Sequence, residues 1–261
     1  MSKPIPPIFI SHGAPTLTLE DIPARTFLKE LGVKYKNIKA VLCISAHWET
    51  SVPEVTTNPS PNTIHDFYGF PEELYEIKYW APGSPDLARK TYNIIENAGL
   101  EALKNHDRGF DHGAWVPMNL MFPEADVPII QLSIQHHMNP ARHMNLGSAI
   151  SELKNEGILI MGSGGAVHPL GYASFRVGAK PDQWAIDFEA WLTKAVTSGD
   201  EDSLLNYRRI SPYSERAHPY PDHLMPLLTV FGAADNKEGK VAHKSWYAGD
   251  LGLGAYIFDD K

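Results

Sequence analysis

Three histidines each follow a short apolar run, a position from which side chains can meet at one edge of a parallel sheet. His12, His47 and His168 come within a few residues of such runs. Ligands of open parallel sheets bind at the carboxyl ends of the strands, and imidazole nitrogens are common ligands of transition metals. The repetition therefore predicts one metal ion bound by histidines. Any one of the three alone could instead hydrogen-bond a carbonyl group or cap a helix.

Further histidines extend the set of candidates. His223 lies where a helix is predicted to begin and is a candidate ligand, with His218, which precedes a proline, as its alternative. His112 lies in a predicted loop among aromatic residues, which suits a polar group directed into an apolar pocket. His65 is followed by Asp66, which could orient an imidazole or form a plain turn. We expect the remaining histidines to be surface residues without a role: His106, His136, His137, His143 and His243.

Several classes of protein are excluded by composition and by missing motifs. The net charge is -8 and no basic run occurs, so a nucleic-acid partner is not expected. A His-Glu-x-x-His motif is absent, which argues against a zincin-type protease. The glycine-rich turn at 162–165 lacks the lysine of a phosphate-binding loop. Cys43 is the only cysteine, so a metal site must use nitrogen and oxygen ligands, and a reducing cytoplasmic location is expected.

The elements that must position these residues alternate along the chain. Short apolar runs alternate with amphipathic stretches, which predicts a single α/β domain over 1–261, with a central mostly parallel or mixed sheet flanked by helices. Strands are predicted at 8–10, 40–45, 127–134 and 158–161. No apolar stretch approaches the roughly 20 residues of a membrane-spanning helix, so a membrane partner is not expected.

Capping residues predict where the helices lie. Ser84 and Pro85 begin one helix and Gly99 ends it. Three more are predicted: one from Asn139 to near Gly157, one over about 184–197, and one directly after His223. The segments 58–71 and 80–84 are rich in Pro, Gly and Asn and are predicted loops.

Six short motifs occur in the same order as in a known family. They are Ser11-His12-Gly13-Ala14-Pro15, Ser45-Ala46-His47-Trp48-Glu49, Thr63-Ile64-His65-Asp66-Phe67, Tyr79-Trp80-Ala81-Pro82-Gly83, Asp111-His112-Gly113-Ala114-Trp115-Val116-Pro117 and Gly162-Ser163-Gly164-Gly165-Ala166-Val167-His168. Together they closely resemble the DOPA 4,5-dioxygenase extradiol family, within the class III (LigB-type) extradiol ring-cleavage dioxygenases. The likeness runs from Ile8 to about Ala233.

This resemblance implies a LigB-like α/β fold with a single metal ion. It implies that His12 and His47 are the first two ligands and that His223 is the C-terminal ligand. His168 matches the histidine that acts as acid/base, or that closes the metal shell when no substrate is bound. His112 matches a histidine beside substrate and O2.

The third ligand position departs from the wider class. Class III enzymes use two histidines and one glutamate, the ligand set expected for Fe(II) oxygenases. Here the third position is His223, with Asp222 beside it. A shell of histidines alone suits Zn(2+) as well as Fe(2+). We therefore expect Fe(2+) for activity, while Zn(2+) can occupy the site in the purified protein.

The expected reaction is cleavage of a catechol, such as a DOPA-like substrate, with O2 to give a muconic semialdehyde. His168 is the expected base and His112 the expected hydrogen-bond donor to the developing anionic oxygens. Trp48, Phe67 and Trp115 are candidate pocket walls, although aromatic residues more often belong to the core. None of four arginines can be placed in the pocket from the sequence: Arg25, Arg108, Arg142 and Arg176.

Two other functions use the same residues. A zinc-dependent hydrolase would use the same ligands to activate water. A non-enzymatic, metal-binding LigB-like protein is the second alternative, because a fold does not determine a function. The substrate, the ring bond that is cleaved and the oligomeric state cannot be read from the sequence.

Overall fold

A mixed sheet of eight strands forms the centre of the computed structural model, which describes residues 3–135, 139–171 and 178–259. A separate pair, β8 and β9, forms a small second sheet. The strands in chain order are β1 (Ile8–Ser11), β2 (Ala40–Glu49), β3 (Glu54–Thr56), β4 (Leu103–Asn105), β5 (Ile129–Ile134), β6 (Ile158–Gly164), β7 (Lys240–His243), β8 (Trp246–Tyr247), β9 (Leu251–Gly252) and β10 (Ala255–Ile257).

The middle of the large sheet is parallel and fully buried. The strands lie in the order β4-β3-β5-β2-β6-β1-β10-β7, and the four from β5 to β1 pair in parallel. Every residue of β1, β5 and β6 is buried, as expected for apolar runs covered on both faces. Antiparallel pairing joins β3 to β5, β10 to β1 and β7 to β10. The α/β prediction is confirmed, and the sheet is mixed.

Ten α-helices and two short 3-10 helices surround the sheet in the described residues. The helices are α1 (Pro23–Lys34), α2 (Glu73–Glu76), α3 (Pro85–Asn97), α4 (His112–Met121), α5 (Pro140–Ile150), α6 (Gln183–Thr197), α7 (Glu201–Leu205), α8 (Tyr207–Ile210), α9 (Ser214–Ala217) and α10 (Met225–Ala233), and the 3-10 helices are Pro15–Thr18 and Ser151–Glu156. One core cluster packs α3, α5, α6 and α10 on one face of the sheet, and the other packs α1 and α4 on the opposite face.

The capping predictions hold, but one predicted helix changes from α to 3-10 type before it ends. Ser84 accepts a hydrogen bond from the Leu87 amide at the start of α3, and Asn139 accepts one from the Arg142 amide at the start of α5. The helix predicted to reach Gly157 ends at Ile150, and a 3-10 helix continues to Glu156.

Two segments that were predicted to be loops or turns form regular secondary structure. The loop predicted around His112 is wrong, since His112 begins α4. Nine of the ten α4 residues are buried, so the helix lacks the polar face that reveals a helix in a sequence. The turn predicted at Gly162 is also wrong, because β6 continues to Gly164. A Cβ at Gly162 would lie 2.5 Å from the Pro226 carbonyl oxygen, so this glycine allows α10 to approach the sheet.

Two histidines predicted to lie on the surface are placed differently. His143 is fully buried, and its Nε2 accepts a hydrogen bond from the Gln135 amide at 3.2 Å. His243 is half-buried, with its ring stacked on Phe27 at 4.8 Å. His106 is exposed as predicted. His136 and His137 lie outside the described residues.

Within the described ranges, none of the helices is both long enough and apolar enough to cross a bilayer.

Candidate metal centre

Three histidines from distant parts of the chain meet at one edge of the sheet. His12 directly follows β1, His47 lies near the end of β2, and His223 precedes α10. One ring nitrogen from each lies within 4.8 Å of the others, and the Nε2 atoms of His12 and His47 are 2.9 Å apart. The structure thus brings together the three histidines that the resemblance implies as ligands.

An irregularity in β2 delivers His47 to this edge. Ser45 pairs with Ser133 of β5, and Glu49 pairs with the next residue, Ile134. The intervening residues of β2 therefore bulge out of the ladder. A bulge of this kind redirects side chains beside functional sites.

Hydrogen bonding determines which ring nitrogen of His12 carries the hydrogen and which carries the lone pair. Its Nδ1 lies 3.0 Å from the Ser163 hydroxyl oxygen. That hydroxyl donates its one hydrogen to the Gly113 carbonyl group, so it can only accept from His12. The hydrogen of a neutral His12 ring is then on Nδ1, and Nε2 carries a lone pair towards His47.

The rings of His47 and His223 each have a carboxylate near Nδ1. The Nδ1 atom of His47 lies 3.6 Å from Asp66 Oδ2, and that of His223 lies 3.1 Å from Asp222 Oδ1. Neither contact has the geometry of a hydrogen bond, but the negative charge of each carboxylate favours a hydrogen on the facing Nδ1 and a lone pair on Nε2. Both ring nitrogens of His223 are buried and have no hydrogen-bond partner among the described residues.

These observations fit a divalent cation. With the hydrogen of each ring on Nδ1, the Nε2 lone pairs of His12 and His47, 2.9 Å apart, repel each other unless both bind a cation. Burial is the main cause that lowers the pKa of all three rings, and the pKa of His47 falls to about 3. The rings are therefore neutral near pH 7, which is the form that binds metals. His12, His47 and His223 would hold the ion.

His112 lies beside the cluster and is oriented by a carboxylate. Its ring centroid is 3.9 Å from that of His47. Its backbone amide donates to Asp66 Oδ1 at 2.9 Å, and its Nδ1 lies 3.0 Å from the same oxygen. Burial acts to raise the pKa of Asp66, but hydrogen bonding to His112 and the nearby His112 and His47 rings lower it to about 2.

Asp111, which the sequence analysis did not single out, holds the start of α4. It is fully buried and accepts from Ser45 Oγ at 2.6 Å and from Arg108 at 2.9 Å. Arg108 also donates to the His47 carbonyl oxygen at 3.0 Å. The aspartate therefore fixes His112 relative to His47. Its position before an apolar stretch is the signal of a helix N-cap that could have identified it.

His168 lies next to the cluster rather than within it. Its ring is stacked on that of His223, with centroids 3.4 Å apart and planes within 9°. It groups with Asp222 and His223 instead of with His12 and His47. Burial is the main cause that lowers its pKa to about 3.

The alternative ligand His218 is directed elsewhere. It is fully buried, and its Nε2 lies 3.0 Å from the Ala166 carbonyl oxygen, to which it must donate. His65 likewise contacts the Ile77 carbonyl oxygen through Nε2 at 3.0 Å. Asp66 thus orients His112 and His47 instead of its neighbour His65.

A largely apolar cavity of about 240 Å³ opens beside the histidines. Its walls include Phe67, Phe70, Val167 and Leu253, and none of the described lysines or arginines lines it. Arg176 lies outside the described residues.

Two of the three predicted pocket walls lie elsewhere. Trp48 and Trp115 do not line the cavity, whereas Phe67 does. Trp48 follows His47 on the bulged strand and is buried near Arg108, 5.6 Å from its guanidinium carbon. Trp115 is buried in α4, and its indole N–H donates to the Ile64 carbonyl oxygen at 3.0 Å. Its ring lies 6.4 Å from that of Phe67, so it supports the wall from behind.

Comparison with known proteins agrees with this architecture. Residues 7–259 match the family described as the catalytic LigB subunit of aromatic ring-opening dioxygenase. The 4,5-DOPA dioxygenase extradiol of Beta vulgaris is 43% identical over 256 residues, which cover 96% of this chain and 95% of that protein. The protein of that name from Escherichia coli K12 is 35% identical and covers 91% of this chain and 88% of its own.

A solved structure shares the fold. The crystal structure of an uncharacterized protein from Escherichia coli K12 superposes with a TM-score of 0.80 at 27% identity, over 98% of this chain and 100% of that one. The family match spans nearly every described strand and helix, and the histidine cluster lies within it. The chain belongs to the LigB family of aromatic ring-opening dioxygenases.

Proposed function

We propose that this protein cleaves a DOPA-like catechol with O2 beside the diol, using Fe(II), and releases a muconic semialdehyde. The observation that carries the proposal is the cluster of His12, His47 and His223, of which His12 and His47 line an apolar cavity. The cavity, at about 240 Å³, is slightly smaller than most ligand pockets and suits a single substituted ring. Named relatives are 4,5-DOPA dioxygenases, which favours this substrate class.

The metal would supply open positions that bring catechol and O2 together, and the redox chemistry that O2 requires. Three neutral imidazoles leave such positions free, in contrast to a structural zinc site with four protein ligands. The ligand set itself also suits Zn(2+), a competitor for the same nitrogens, so the reason to prefer Fe(2+) as the working ion is the redox chemistry that O2 requires and that zinc does not supply.

The protein's own residues would handle protons and exclude water. His168 and His112 both line the cavity and are the two groups that we assign to proton transfer. His168 would take a proton from a catechol hydroxyl. His112 would hydrogen-bond the oxygens on which negative charge develops. Phe67, whose ring lies edge-on to His112 at 5.9 Å, would form one wall against the substrate ring.

A cytoplasmic location is part of the proposal. Cys43 is buried and is the only cysteine, so no disulfide within the chain requires an oxidising compartment. The proposed partners at the site are the catechol and O2.

The test is O2 uptake by protein stripped of metal and reloaded anaerobically with Fe(II) or Zn(II). L-DOPA, catechol, protocatechuate and caffeate are offered in parallel, and product is followed by its yellow colour. Consumption of O2 that requires Fe(II) and yields a yellow semialdehyde is expected for at least one substrate. If stoichiometric Fe(II) is bound and the whole panel is inert, the proposed activity is wrong, and hydrolysis by the Zn(II) form is examined next.

A further inference from the structure

The backbone of His47 is held by side chains at the point where its strand leaves the ladder. The register of β2 with β6 ends at Ser45, and its register with β5 passes directly from Ser45 to Glu49. The His47 amide donates to Ser45 Oγ at 3.2 Å, and the His47 carbonyl oxygen accepts from Arg108 Nη2 at 3.0 Å. Backbone polar groups inside a protein need such partners. Two side chains therefore replace a neighbouring strand at this candidate metal ligand.

Arg108 is itself held by a buried carboxylate. The same Nη2 atom donates to Asp111 Oδ2 at 2.9 Å, so its two hydrogens serve one carbonyl group and one carboxylate. Asp111 is fully buried, and the Arg108 side chain is 22% exposed. The Arg108 amide donates to the Asn105 side chain at 2.9 Å, and its guanidinium carbon lies 5.6 Å from the centre of the Trp48 ring. These contacts leave the guanidinium little freedom to move.

Three secondary-structure elements hold Asp111 in turn. It accepts from Ser45 Oγ of β2 at 2.6 Å, from Gln131 Nε2 of β5 at 3.0 Å and from the Ala114 amide of α4 at 3.2 Å. Helix α4 packs tightly at this point, since a Cβ at Gly113 would lie 2.4 Å from Ser45 Oγ. The network therefore joins the bulge of β2 to the sheet on one side and to a helix on the other.

We propose that Arg108 is a positioning residue for the metal site, which keeps the His47 ring directed towards His12 and His223 by holding the His47 carbonyl group. This inference rests on the part of the proposed function that makes His47 a metal ligand. A charged donor forms a stronger hydrogen bond than a neutral donor does. The orientation of a metal ligand depends on such outer contacts. Arg108 does not line the cavity, so it acts through His47 rather than on the substrate.

Removal of the guanidinium should weaken metal binding. Arg108→Ala removes the donor to His47 and leaves Asp111 without its cation, so the bulge should adopt several conformations. Zn(II) affinity should fall by about 10- to 100-fold, the range for lost outer partners of a metal ligand. Arg89→Ala is the matched control, because Arg89 also pairs with an aspartate three residues away, Asp86, but both side chains are exposed. The control should bind Zn(II) as wild type does.

Two measurements separate positioning from a general loss of stability. The visible absorption spectrum of the Co(II)-loaded protein reports the arrangement of ligands around the ion, and it should change in Arg108→Ala but not in Arg89→Ala. Zn(II) affinity, from competition with a chromophoric chelator, is measured with and without millimolar guanidinium chloride. The free guanidinium ion can occupy the place of the missing side chain and should restore most of the affinity. Tetramethylammonium chloride at the same concentration should not.

The outcomes decide the inference as follows. An Arg108→Ala variant with the Co(II) spectrum and the Zn(II) affinity of wild type would overturn it. Weaker binding with an unchanged spectrum and no rescue would also overturn it, because Arg108 would then contribute only to stability. If wild type itself binds neither ion, the proposed function fails at its metal site, and this inference fails with it.

A second variant keeps the test available if Arg108→Ala does not fold. Arg108→Lys retains a positive charge beside Asp111, but its shorter side chain cannot also reach the His47 carbonyl oxygen. Its free energy of unfolding should stay close to that of wild type, while its Zn(II) affinity falls. A Lys variant that binds Zn(II) as tightly as wild type would count against the role of Arg108.

Discussion

At the scale of single residues, the site depends on where each histidine places its one hydrogen. Ser163 accepts from His12 Nδ1, and Asp66 and Asp222 face the Nδ1 atoms of His47 and His223. Each partner leaves Nε2 as the nitrogen with a lone pair. The sequence identified His12 and His47 because each follows an apolar run, and His223 because it lies where a helix is predicted to begin. It could not identify Ser163 as the partner of His12 or Asp66 as the neighbour of His47, because these residues come from remote segments of the chain.

The ligand assignment predicts the metal content of variants. His12→Ala and His47→Ala should each lower bound metal to near zero per chain, because two remaining imidazoles form a poor site. His106→Ala, at an exposed histidine, should bind as wild type does. Metal is quantified by plasma mass spectrometry after gel filtration. Unchanged metal in both ligand variants would mean that the ion binds elsewhere.

A substitution at Ser163 tests whether this hydroxyl holds the hydrogen of His12 on Nδ1. Ser163→Ala removes the acceptor for His12 Nδ1, and losses of such partners weaken metal binding by about 10- to 100-fold. Competition against a chromophoric chelator measures the affinity. Ser133→Ala is the control, since that buried hydroxyl bonds to Thr50 instead. Equal affinities for the two variants would argue against this role of Ser163.

At the scale of secondary-structure elements, the position of His223 depends on the close approach of α10 to β6. A Cβ at Gly164 would lie 2.2 Å from the His223 carbonyl oxygen. The four central strands were predictable because they are short continuous apolar runs. Helix α4 was missed because it is apolar all round, and β7 to β10 were missed because two to four residues carry too little pattern.

This packing predicts that Gly164→Ala damages both the fold and the site. We expect a loss of about 1–3 kcal/mol in the free energy of unfolding, typical of overpacking, together with weaker metal binding. Gly147→Ala is the control, because its Cβ would meet the Thr229 carbonyl oxygen of α10, further along the helix from His223. That variant should lose stability but keep its metal affinity. Denaturant titration and chelator competition distinguish the two effects.

At the scale of the whole molecule, the three proposed ligands come from widely separated parts of the chain. His12 directly follows β1 and His47 lies on β2, and β6 lies between these two strands in the sheet. His223 lies just before α10, a helix that packs on one face of the sheet. An ion bound by all three would therefore connect the sheet with the helices on one of its faces. Binding that requires the folded arrangement adds to the free energy of unfolding.

Thermal unfolding should report this linkage. At about 100 times its dissociation constant, Zn(II) should stabilise wild type by about 2.7 kcal/mol. For a chain of this size that corresponds to a rise in Tm of roughly 5–10 °C. His223→Ala should show little or no rise, although its apo form still unfolds cooperatively. Equal rises in the two proteins would indicate zinc sites outside the cluster.

The position of β1 has a consequence for synthesis on the ribosome. This strand lies between β6 and β10, and Ser11 at its end accepts from the Ala166 amide and donates to the Gly254 carbonyl oxygen. His12 is thus translated early, while the strands that enclose it and the ligand His223 are translated late. At roughly 5–20 residues per second, the nascent chain carries His12 for about ten seconds or more before His223 exists. Metal loading must therefore follow translation of nearly the whole domain.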